Sequence, residues 1–177
     1  MASTPDRPTQ ARPSTLARYS APGAGVAAAI RRFGTLVKVA AGDTGGRYSV
    51  LEHALEPETL AMPMHRHLRE TKTFYAVEGS LTVQIGTDVF VAMPGASLVI
   101  PAGTMHTMWN ETERRVRFLS IVAPGGLERY YAEVATLIRP AGKPDIDAVL
   151  ATSERYGIEL DMLSLLDILE RHQVQLA

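Results

Sequence analysis

From residue 34 to residue 123 the chain alternates short apolar runs with glycine- or proline-bearing turns, and this rhythm restricts the fold more than any other feature. Candidate strands fall at 35–40, 47–55, 73–77, 81–85, 88–92, 97–100, 105–109 and 116–122. Gly46, Gly79, Gly86, Gly95, Gly103 and Gly126 sit in the turns that separate them. Many short strands without intervening helices predict an antiparallel sandwich or barrel. Closing the sheet also removes the exposed edges that invite aggregation. At 177 residues, with 46% apolar and 21% charged positions, the chain has the length and composition for one such domain.

The texture changes on either side. Residues 1–22, rich in Pro, Ser, Thr and Ala, read as a disordered N-terminal tail. Residues 23–126 carry the barrel, and 127–177 form a helical segment packing on it. Leu127, Tyr130, Tyr131, Val134, Leu137 and Ile138 recur at helical spacing, with Pro140 ending that helix. Asp145 caps a second helix that stops near Gly157, and 161–172 reads as a third. These helices are expected to cover the outer face of the barrel or to form a homodimer contact.

Net charge is −1 with the signs interspersed, which argues against nucleic acid as a partner. No apolar run reaches the ~20 residues that span a bilayer, and 26–30, followed by Arg31 and Arg32, is a poor signal-peptide core. The absence of cysteine excludes disulfides, thiolate metal sites and a cysteine nucleophile. A cytoplasmic location is the expectation.

Three of the five histidines lie in two compact motifs. His65 and His67 are two apart, so on a strand both imidazoles point to one side. His106 follows the Pro101–Gly103 turn and would bring a third imidazole from another strand. Such a trio suits a divalent transition metal: iron, nickel, manganese, copper or zinc. Two histidines separated by a single residue could also be surface groups or satisfied core groups, a reading that the pairing of both motifs in order disfavours. His53, in an alternating strand, is expected to be structural, and His172 solvent-exposed.

The two motifs resemble the signature pair of the cupin superfamily. The second has Gly95, Pro101, Gly103, His106 and Asn110 at every position of that pattern; the first has His65, His67, Phe74, Tyr75 and Gly79. The segment from Ala123 to Tyr131 is similar to small bacterial monocupins of quercetinase-like type, as are Pro144, Asp145 and Arg155 to Ile158. The resemblance implies a double-stranded β-helix, or jelly roll, and a metal held by His65, His67 and His106. For the reaction it implies dioxygenase-like chemistry, although cupins also host cyclases, isomerases and non-enzymatic binding proteins.

Two positions depart from the family pattern. Thr59 replaces a glycine, and Lys72 stands where metal-binding cupins usually place a glutamate ligand. An ammonium has no lone pair and repels a divalent cation, so three readings are open. The three histidines alone hold the metal while Lys72 holds an anionic substrate; or the metal is lost and Lys72 works with His106 as an acid–base pair in cyclisation or isomerisation; or Glu70 reaches the metal instead. The plain alternative is an ion pair of Lys72 with Glu52, Glu70 or Glu78 that serves packing. If Lys72 points inward, Phe74 and Ala76 share its face while Tyr75 and Val77 do not. Met62, Met64, Met105, Met108 and Trp109 cluster in sequence around the histidines, with Arg66 and Arg69 expected at solvent. The methionines and Trp109 suggest walls for an apolar or aromatic small-molecule substrate, the candidate contacts being Phe74, Met64, Met108 and Trp109.

Overall fold

A computed structural model describes residues 17–138 and 143–177. Most of the expected tail, and Pro140, lie outside the described residues. Thirteen strands and three helices run in the order β1 (Val26–Ile30), β2 (Phe33–Val39), β3 (Ser49–Leu55), β4 (Thr59–Leu60), β5 (Met64–His67), β6 (Thr71–Glu78), β7 (Leu81–Ile85) and β8 (Asp88–Ala92). They continue with β9 (Ser97–Ile100), β10 (His106–Asn110), β11 (Val116–Ala123), α1 (Glu128–Leu137), α2 (Ile146–Arg155), β12 (Ile158–Asp161), α3 (Ser164–His172) and β13 (Gln175–Leu176).

The strands form two sheets. One has the order β1-β2-β3-β11-β6-β9; the other runs β12-β5-β10-β4-β13, with β7 pairing β10 and β8. Every pairing is antiparallel except β13 on β4. Alternation dictates the core. On β3 the residues Ser49, Leu51, His53 and Leu55 are buried and those between are not; β11 does the same with Val116, Phe118, Ser120 and Val122. Leu51, Phe74 and Phe118 of the first sheet meet Leu81, Val83 and Met108 of the second in one apolar cluster. Each such burial contributes on the order of 1.5–3 kcal/mol. This is the expected two-sheet barrel.

Turn chemistry holds the register. Gly79 has φ +74°, and a Cβ there would sit 2.9 Å from Val116 Cγ2, so the β6–β7 turn needs a glycine. The Asn110 amide, fully buried, donates to the carbonyls of Leu55, Glu56 and Arg114, while its oxygen accepts from the Thr112 amide. One side chain thereby joins three chain segments below the end of β10.

The C-terminal segment differs from expectation in two ways. Residues 158–161 extend β5 as a further strand, and α3 begins only at Ser164, because Asp161 Oδ1 accepts from the amides of Leu163 and Ser164 and starts the helix instead of lying within it. Moreover, α1 does not lie on the outer face. Its Tyr131 ring packs 6.1 Å from Phe33 and 5.4 Å from His53, which face the interior. Asp145 does cap α2, accepting from the Ala148 amide at 3.0 Å, and Gly157 follows its end with φ +70°.

Candidate metal centre

Strand alternation brings the two-apart histidines together. His65 and His67 are both buried on the inner side of β5, and His106 opens β10 directly across from His65. Candidate ligand atoms of the three rings lie within 4.8 Å of one another. The ring centroids of His65 and His106 are 4.2 Å apart. Backbone contacts fix the strands at this point: the Gly103 amide, in the turn ahead of His106, donates to the His67 carbonyl at 2.7 Å. The second motif's glycine turn therefore clamps the first motif's histidine.

Two of the rings have a backbone partner that sets their orientation. His65 Nδ1 donates to the Pro63 carbonyl and His106 Nδ1 to the Thr104 carbonyl, both at 2.9 Å. With the proton committed to Nδ1, each ring turns an unprotonated Nε2 inward. Those two Nε2 atoms are buried and have no hydrogen-bond partner. A buried acceptor without a partner costs roughly 1–3 kcal/mol, and a metal would satisfy both at once. The residues fit such an ion.

Burial, and then the neighbouring charges of His106, Lys72 and His67, hold the His65 imidazole well below its usual range. Burial and Lys72 do the same for His67. For His106 burial, followed by Lys72, pushes the value down to about 3. All three rings are therefore neutral ligands across the physiological range.

Lys72 points inward beside them. It is 1% exposed, and its Nζ lies 3.4 Å from His67 Nε2 and 5.0 Å from the Phe74 ring centre. Burial lowers its amine to about 7, partly opposed by Glu70. None of the ion pairs among the described residues includes Lys72. Glu52 and Glu78 pair with Arg117 instead. Glu70 stands on the far side of His67, its Oε2 3.7 Å from Nδ1, and burial raises its carboxyl. At that distance neither His67 Nδ1 nor Glu70 Oε2 has a hydrogen-bond partner, so Glu70 is a neighbour of the His67 ring and lies outside the trio.

Phe74 and Ala76 share the inner face with Lys72, while Tyr75 and Val77 are exposed. The Phe74 ring is 6.4 Å from His106, and Met108 is buried on the same side of β10 as His106. Met64 and Trp109 are not part of this wall. Each neighbours a histidine in sequence and so points to the opposite face, where they pack with Leu60, Ile168 and Val174 in a second cluster. His172 is not free at the surface: its ring lies 4.3 Å from that of Trp109. Arg66 pairs with the outward Glu159, and the Arg69 guanidinium donates to the Tyr156 carbonyl. His53 is buried, donating to or accepting from Thr35 Oγ1 at 2.9 Å, between the rings of Phe33 and Phe118. Burial lowers it to about 3.

The model of a cupin domain matches residues 51–122, the span that carries all three inner histidines. Among solved structures, the polyketide cyclase RemF from Streptomyces resistomycificus superposes with a TM-score of 0.54 at 20% identity, over 61% of this chain and 80% of that one. KdgF from Halomonas sp. gives 0.50 at 16% identity, over 55% and 85% respectively. At such identities the likeness concerns the fold. No curated protein matches the chain. The two-sheet barrel, the domain match and the histidine motifs agree: this chain belongs to the cupin superfamily.

Proposed function

We propose that the protein is a small-molecule enzyme in which His65, His67 and His106 hold a divalent transition metal and Lys72 meets an anionic oxygen of an apolar or aromatic substrate. The observation that carries this reading is the pair of buried, unpartnered Nε2 atoms on His65 and His106, each aimed inward by a hydrogen bond on the opposite ring nitrogen. A bound metal would supply Lewis acidity there and, for a redox-active ion, access to dioxygen chemistry such as oxidative cleavage of an aromatic or polyketide-like substrate.

The chain's own groups do the rest. Lys72 Nζ, as an ammonium, donates to an enolate, phenolate or carboxylate oxygen; as an amine, it accepts the proton of the corresponding enol, phenol or carboxylic acid. Phe74 and Met108 supply apolar surface and keep water from the reacting end. A second reading, non-redox cyclisation or isomerisation, draws support from one contact: His67 Nε2, 3.4 Å from Lys72 Nζ, gives a path for a proton between amine and imidazole.

Elemental analysis of protein purified without chelator tests the proposal. One transition metal per chain, lost in His65→Ala and in His106→Ala, is the expected result. Trace metal at a level that neither substitution changes would defeat it. Oxygen consumption by loaded protein then separates oxidative cleavage from anaerobic turnover.

A further inference from the structure

A cavity of about 80 Å³ lies between the C-terminal helices and the barrel. Its floor is made of Phe33, Ala61 and Tyr131, each no more than 6% exposed. Its mouth is marked by Ile146, Leu150 and Leu176, at 36–42%. No lining side chain carries a charge. Space that could hold several waters, with almost nothing polar to bind them, favours an apolar occupant. Two tyrosines line it. The Tyr130 hydroxyl is paired with Ser153 Oγ, whereas the hydroxyl of Tyr131, a residue 2% exposed, makes no hydrogen bond among the described residues. An unpaired buried hydroxyl beside apolar walls suits a ligand with a single oxygen.

The cavity borders the histidine centre. Leu160 lines it and pairs across from His65, so both project from the same face of the sheet. Pro63, whose carbonyl orients the His65 ring, lines it too.

We infer that this cavity is a binding site for a neutral aromatic ring system bearing one oxygen substituent, with Tyr131 donating to that oxygen. That the occupant is the apolar body of the substrate rests on the function proposed above; the binding itself does not. Helices α1 and α2 are then specificity elements, since Tyr130, Tyr131, Val134 and Val149 of those helices form much of the wall.

Phenol and benzene are the probes, titrated into chelator-treated protein carrying ¹³C-methyl methionine. Met62 and Met162 line the cavity, whereas Met93 is exposed after β8. The expected result is saturable shifts at Met62 and Met162, with phenol binding about fivefold tighter than benzene, a preference that Tyr131→Phe abolishes. Val149→Trp should weaken binding by about tenfold or more. Shifts at Met93 instead, or no saturation, would overturn the inference even if Val149→Trp failed to fold. Binding that survives in His65→Ala while metal is lost keeps the two claims separate: failure to bind metal in the parent protein would remove the proposed centre and leave this site standing.

Discussion

Replacing Lys72 with methionine tests the electrostatics of the centre without any ligand. Burial brings the amine from 10.5 down to about 7, which corresponds to a difference of about 4–5 kcal/mol between its charged and neutral forms. The sign follows from proton counts. Below about pH 7 the folded and unfolded chains both carry the ammonium, so the full cost opposes folding. Between about 7 and 10.5 the unfolded chain binds more protons, so stability rises with pH by up to about 1.4 kcal/mol per unit. Lys72→Met removes this term and fills nearly the same volume. It should stabilise the metal-free protein by about 4 kcal/mol at pH 6 and by only about 2 at pH 9. Urea denaturation of chelated parent and variant at both pH values gives the comparison. A variant no more stable at pH 6, or an advantage that does not shrink by pH 9, would refute the argument that Lys72 is a dehydrated amine.

Other outcomes follow from the same geometry. In Lys72→Glu, metal affinity measured by competition with a chromophoric chelator should rise, because a carboxylate replaces a cation beside the His67 lone pair; unchanged affinity would mean that position 72 does not act on the centre. The parent's metal affinity should fall as pH drops through about 7 and Lys72 gains its proton, and Lys72→Met should lack that inflection. Glu70→Gln should weaken metal binding by less than about tenfold with little change in urea midpoint, since its carboxylate, 3.7 Å from His67 Nδ1, adds negative charge near the centre without hydrogen-bonding the ring. Phe118→Ala, by contrast, should cost about 3–5 kcal/mol in urea denaturation through the cavity it leaves in the main cluster.

The strands most legible in the sequence were those with alternating or continuous apolar runs between glycine turns: β7, β8 and β9 begin and end where the pattern places them. The histidine trio was legible for the same reason, two-residue spacing on a strand plus the Pro101–Gly103 turn. The rest depends on tertiary pairing. β1 is alanine-rich and β12 and β13 are short, so nothing local marks them; they are strands because β2, β5 and β4 offer them an edge. For Met64 and Trp109 the signal was present, since the parity that unites His65 with His67 sets their immediate neighbours on the other face. Glu70, three residues after His67, was open as a metal ligand from the sequence; its carboxylate instead lies 3.7 Å from His67 Nδ1, outside the trio.

The pairing of β12 with β5 has a consequence for biosynthesis. The strand bearing His65 and His67 gains one of its two neighbours from residues made more than ninety positions later, as the Leu160 partner of His65 illustrates. During translation a nascent chain that has already exposed both imidazoles still lacks that flank on the ribosome. The flank of the histidine strand is complete only once residues 158–161 have been made and have paired with β5.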